Sequence, residues 1–210
     1  MNKNLTLKHQ NIEASLPLYN RFFKLQRRVT KQFPHENIQW PGAIGLAEWN
    51  SLSKLKNGGY YCTPLNSLAF AWTGTDGEHF SFLVRNAKIT ERSPIILTVP
   101  TNYDGTCNIV VAKNFRTFLR LLLRYGWFEL TELGYQPQNA IQAFLESSRV
   151  FIQQQEKKPN VVQREVCAFV SGLLDLPPYF YTEAEFKSLQ QKYIPLLKMP
   201  EGYTAEHRRL

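Results

Sequence analysis

The chain has 210 residues, 43% hydrophobic and 13% aromatic, enough to bury a sizeable core and too apolar to be disordered throughout. No run reaches the roughly 18 apolar residues of a membrane span, and the N-terminal residues lack the apolar stretch of a secretory signal, so a cytoplasmic location is expected. The net charge of +8 is uneven: residues 1–40 carry seven Lys and Arg against Glu13 and Glu36, while 41–135 and 136–210 are close to balanced.

Residues 11–33 carry Leu18, Phe22, Leu25 and Val29 at helical spacing, with Arg21, Lys24, Arg28 and Lys31 mainly on other faces. Pro17 suits the first turn of this helix and Pro34 ends it. Residues 44–56 predict a short helix through Ile44, Leu46, Trp49, Leu52 and Leu55, stopped at Asn57-Gly58-Gly59. Five short runs rich in β-branched and aromatic residues then predict strands at 60–62, 67–72, 79–84, 95–99 and 108–112. Their connections are too short for crossover helices, so the pairing is antiparallel. Asn102-Tyr103-Asp104-Gly105 predicts a loop.

Residues 113–125 predict a helix with Phe115, Phe118, Leu119, Leu122 and Leu123 on its buried face, Asn114 capping its start and Gly126 its end. Arg116, Arg120 and Arg124 recur every fourth residue on another face, which reads first as a solvated stripe. The remainder predicts helices at 138–155, 161–174 and 183–197, the last opened by a capping box at Thr182-Glu183-Ala184-Glu185. Helices, then strands, then helices give an α+β fold. Its central, mostly antiparallel sheet spans about residues 60–112, with N-terminal helices and a C-terminal helical region around it. One α+β domain is expected over residues 1–135, with 136–210 as a helical extension packed on it.

The chemistry is sparse. Cys62, Cys107 and Cys167 are odd in number and widely spaced, which supplies neither a disulfide framework nor a zinc pattern. Buried free thiols are expected. His9, His35, His79 and His207 are scattered, and no metal or cofactor is expected. Asp76, His79 and Ser81 invite a triad reading. On a strand, however, His79 and Ser81 stand about 7 Å apart along one face, too far for a direct hydrogen bond. Gly74-Thr75-Asp76-Gly77 matches neither phosphate-binding glycine motif, and Asp76 would repel phosphate.

The stretch Thr63-Pro64-Leu65-Asn66-Ser67-Leu68-Ala69-Phe70-Ala71, continuing through Thr73-Gly74, Asp76-Gly77 and His79-Phe80-Ser81-Phe82-Leu83, resembles a segment of SUKH-superfamily-like bacterial proteins. Pro94-Ile95-Ile96-Leu97-Thr98-Val99-Pro100, the strand and Phe115-x-x-Phe118-Leu119 helix over 110–119, and Gly126-Trp127-Phe128 extend the likeness across roughly residues 40–135. The resemblance implies an α+β fold with a mostly antiparallel sheet, and non-enzymatic immunity proteins that bind and neutralise toxins. Such proteins are usually acidic when they block basic nucleases. At +8 this chain is basic, so an acidic toxin or another protein partner fits better.

The expected function is therefore a non-enzymatic protein-binding module, with toxin neutralisation as its finer reading. The candidate partner-binding residues are Thr63, Trp72, Thr73, Thr75, Asp76, Glu78 and His79, at or beside one turn. Two rivals stand beside it. One is a hydrolytic enzyme in which Asp76, His79 and Asp104 converge in a pocket. The other is a non-specific nucleic-acid binder using Arg21, Arg28, Arg116, Arg120 and Arg124 as anion-binding groups.

Overall fold

The computed structural model describes residues 12–32, 42, 44–47, 59–102, 107–135, 142, 145 and 161–203. Within these, α1 (Ile12–Ser15) and α2 (Pro17–Gln32) precede the strands β1 (Gly45–Leu46), β2 (Ser67–Trp72), β3 (His79–Leu83), β4 (Ile95–Thr98) and β5 (Asn108–Ala112). The helices α3 (Phe115–Tyr125), α4 (Trp127–Tyr135), α5 (Val161–Leu174) and α6 (Glu183–Tyr193) follow, and a single 3₁₀ turn (Ile194–Leu196) closes the order. This is the expected α+β architecture, with helices on both sides of the strands in sequence. No helix among the described residues is long and apolar enough to cross a membrane.

The sheet is a meander: strand order is β1-β2-β3-β4-β5 and every pair is antiparallel. Two predicted elements differ. Gly45 and Leu46 form a short edge strand paired with Trp72 and Ala71 rather than the start of a helix, and the Ala47 amide donates to Phe70. Unpaired β2 backbone draws these residues into the sheet, and tertiary pairing overrides local helical spacing. Residues 60–62 are turn, not strand, with Thr63 N–H donating to Tyr60 C=O. Of the predicted helix over 138–155 only residues 142 and 145 are described, both helical, and the 48–56 part of the predicted second helix and the tip of the 102–105 loop lie outside the described residues.

One face of the sheet is aromatic. Phe80 and Phe82 alternate onto it, and a bulge between Ala69 and Ala71 turns Phe70 to the same side. Phe70 meets Phe82 at a ring-centroid distance of 4.4 Å, and both meet Phe115 at 5.7 Å. Tyr19 of α2 joins the cluster, and its buried hydroxyl donates to Ala47 C=O at 2.8 Å. The apolar face read from the α2 sequence, Leu18, Phe22, Leu25 and Val29, is buried here, while Arg21, Lys24, Arg28 and Lys31 are exposed. Glu91, on the β3–β4 connection, serves two helices at once. Its carboxylate accepts from Leu18 N–H at the start of α2, and its carbonyl accepts from Phe115 N–H at the start of α3.

The C-terminal helices belong to the same hydrophobic core, through Val166, Val170 and Leu174 of α5 and Phe186, Leu189 and Tyr193 of α6. Thr182 caps α6 as predicted, accepting from Glu185 N–H. α6 also closes the edge of the sheet. The Gln190 side chain accepts from Val110 N–H at 2.9 Å and donates to Val110 C=O at 2.8 Å, standing in for a further strand on β5.

Packing and helix propensity oppose each other at Gly134 of α4. A Cβ there would lie 2.4 Å from Val99 Cγ2, whereas a Cβ on Gly172 of α5 would meet nothing within 4 Å. Gly134→Ala therefore destabilises the protein by about 1–3 kcal/mol despite its better propensity. Gly172→Ala stabilises it by about 0.5–1 kcal/mol. Urea denaturation of the two variants reads these opposite signs directly, and equal signs would contradict this packing.

Candidate functional site

The β2–β3 connection is short and internally bonded. Thr73 N–H donates to Glu78 C=O, and Glu78 N–H to Thr75 C=O. The chain reverses through positive φ at Gly74, Asp76 and Gly77. Gly77 has a second reason to be glycine: a Cβ there would lie 2.3 Å from the Tyr60 ring. Gly74, Thr75 and Asp76 form the exposed tip, with Trp72 and Thr73 half-buried behind it.

The two residues after the tip turn inward. Glu78 is buried, and its carboxylate accepts from the Tyr135 hydroxyl of α4 and from Thr75 Oγ1. Burial and this carboxylate together raise the Tyr135 pKa. His79 is fully buried. Its Nδ1 lies 2.7 Å from Gly77 C=O, and because a carbonyl only accepts, Nδ1 carries the proton. Nε2 is then the acceptor for the Thr63 hydroxyl at 3.3 Å. Tyr60 stacks on the imidazole with centroids 5.7 Å apart and planes 21° apart, while remaining 40% exposed.

His79 begins a polar row across the second face of the sheet. It stands opposite Thr98, which stands opposite Asn108. Thr98 Oγ1 donates to Asn108 Oδ1 at 2.7 Å, and Asn108 Nδ2 donates to Cys62 C=O at 2.8 Å. The row thus holds residues 62 and 63 at two points and seats the 59–66 segment on the sheet. The far side of that segment is tied to the C-terminal stretch: Leu65 N–H donates to Lys198 C=O, and the Asn66 side chain bonds both Leu196 C=O and Lys198 N–H. Tyr60, Tyr61, Leu65 and Leu196 consequently stand out from the surface as large exposed apolar side chains.

The seven predicted partner-binding residues divide in this arrangement. Thr75 and Asp76 are exposed, and Trp72 and Thr73 partly so. Thr63, Glu78 and His79 are buried, which corrects their expected place on an open surface: their side chains brace the tip from beneath. The sequence reading missed Tyr60, Tyr61, Tyr135 and Asn108. The sequence pattern places Tyr60 and Tyr61 in a strand, and no spacing links Asn108 or Tyr135 to residues dozens of positions away.

The arginines also change role. Arg116 donates to Asp175 C=O, Arg120 to both Pro177 and Pro178 C=O, and Arg21 to Leu173 C=O. Arg120 and Arg124 lie over the Tyr179 and Phe180 rings at 4.4 and 5.1 Å. Arg116 stays exposed while Arg120 and Arg124 are half-buried. Arg116 and Arg120 receive the carbonyls just beyond the end of α5, where cations are favoured. Arg28 remains exposed on α2. Among the described residues no group of three or more His, Cys, Asp and Glu is placed to hold a metal ion, and Asp104 lies outside them. No family model, curated protein or solved structure matches the chain.

Burial lowers the His79 pKa below its ordinary value, and the Gly77 carbonyl offsets this in part. The unfolded chain therefore takes up the proton first as pH falls. The stability contributed by neutral His79 is fully present above about pH 6.5 and is lost progressively below it, toward the lowered folded value. Urea midpoints between pH 7.5 and 5 should fall more steeply for wild type than for His79→Gln. Parallel slopes would contradict a buried neutral imidazole.

Proposed function

We propose that this chain is a non-enzymatic protein-binding module, and that its recognition surface is the tip at 73–76 together with Tyr60 and Tyr61. The observation that carries the reading is the pairing of exposed tyrosines with a braced loop. Tyr60, 40% exposed, packs on Gly77 behind the exposed Thr75 and Asp76, its neighbour Tyr61 is 47% exposed, and Glu78, His79 and Thr63 bond beneath the tip. Tyrosine supplies large contact area with few rotatable bonds, and a loop already held in place loses little entropy on binding. Residues 59–66 and 72–77 contain no Lys or Arg, so the surface is neutral to acidic although the chain is basic.

Two features weigh against the rival readings. Both ring nitrogens of His79 are engaged and the imidazole is buried, so neither is free to take a proton from a substrate. Four of the five candidate anion-binding arginines are spent on backbone carbonyls or aromatic rings, which also weighs against a nucleic-acid role. The resemblance to SUKH-superfamily-like proteins supports the finer reading, toxin neutralisation by occlusion.

Photo-crosslinking in the source cells tests the surface. A crosslinking residue placed at Tyr61 or Asp76 should capture one discrete protein, and one placed at exposed Arg92, on the connection at the far end of β3, should not. Capture only from Arg92, or equal capture from all three positions, would overturn this assignment.

A further inference from the structure

The fold segregates the charge of this chain. Residues 57–84 and 93–112 contain no Lys or Arg, and neither does α4. These stretches supply the 59–66 segment, the tip and the strands behind it, and α4 reaches the tip through the bond from Tyr135 to Glu78. Among their described residues the charged groups are Asp76, Glu78, Glu129 and Glu132, all acidic. The cations collect elsewhere. α2 carries five Lys and Arg and no Asp or Glu, and it packs on the aromatic face of the sheet, opposite the 59–66 segment. Arg85, Lys88 and Arg92 are exposed at the other end of β3 from the tip, and Lys198 is held at the Leu65–Asn66 end of the covering segment.

Building on the recognition surface proposed above, we propose that its partner is a basic protein that seats an arginine between Asp76 and Tyr60. Asp76 is the unengaged acid of the surface: it is exposed, and among the described residues no hydrogen bond or ion pair holds its carboxylate. Its φ of 45° suits glycine at least as well, as at the flanking Gly74 and Gly77, so the backbone gives no reason for a carboxylate there. Tyr60 stands against the same turn, its ring filling the place a Cβ on Gly77 would take. The His79 imidazole covers one face of that ring, so its exposed area lies on the side away from the imidazole. A guanidinium suits this pair, because it stacks on an aromatic face while its N–H groups donate to a carboxylate. Net charge alone favours an acidic partner, but complementarity acts where surfaces touch, and the charge here is opposite in sign to the +8 of the whole chain.

The test pans a phage-displayed library of random peptides on the purified full chain and titrates the enriched peptides against variants by fluorescence anisotropy. The enriched peptides should carry arginine in excess of Asp and Glu, and Asp76→Asn, which keeps the shape of an exposed side chain, should weaken them about tenfold. Replacing the peptide's arginine by alanine should cost a similar factor against wild type and little against Asp76→Asn, the coupling expected of a direct pair. Enriched peptides without excess arginine, or no enriched peptide weakened by Asp76→Asn, would overturn the proposal. Tyr61→Ala separates two kinds of failure. Peptides weakened by Tyr61→Ala but not by Asp76→Asn keep the recognition surface and remove its basic partner, whereas peptides weakened by neither remove both. A wild-type chain that self-associates in sedimentation velocity, and that Asp76→Asn makes monomeric, would assign the surface to the basic α2 of a second copy and likewise overturn the proposal.

Discussion

The second face of the sheet depends on one constraint: three polar side chains in register, His79, Thr98 and Asn108, are buried between strands and a covering segment. A buried polar group left without a partner costs about 1–3 kcal/mol. The row therefore needs a lid that supplies partners, and residues 59–66 do so with the Thr63 hydroxyl and the Cys62 carbonyl. Seating that lid positions Tyr60 over His79 and Gly77 and leaves Tyr61 at the surface. The braced tip and the tyrosine patch are thus consequences of a single hydrogen-bonded row.

The opposite face follows different physics. There the sheet is sealed by aromatic contact with α2 and α3, and its polar demands fall on backbone ends rather than side chains. Glu91 meets two helix starts, Gln190 meets the β5 edge, and Arg21, Arg116 and Arg120 meet carbonyls at the end of α5 and in the chain just after it. Each partner comes from a distant part of the chain. Together these bonds join the sheet and the C-terminal helices into one core.

What was legible in the sequence was local. Period-2 and period-3.6 patterns placed β2–β5 and α2, α3, α5 and α6, and Asn114, Gly126 and Thr182 announced their caps. The short edge strand at Gly45 was not legible, because its strand state exists only through pairing with β2. The arginine stripe illustrates the same limit: its spacing was correct, but charge spacing cannot distinguish water, phosphate or a carbonyl folded back from residues 173–178. At the candidate site the turn itself was visible in Thr73-Gly74-Thr75-Asp76-Gly77. The inward turn of Glu78 and His79 was not, since their partners Tyr135 and Thr63 are set by tertiary packing.

The most direct measurement of the central constraint is amide hydrogen exchange in Asn108→Ala. Removing this side chain strips partners from the Thr98 hydroxyl and the Cys62 carbonyl without touching residues 63–66. If the row seats the lid, the amides of Thr63 and Leu65, which bond Tyr60 and Lys198, should exchange about tenfold faster, while those of α3 keep their protection. Unchanged exchange at Thr63 and Leu65 in a folded variant would contradict the account.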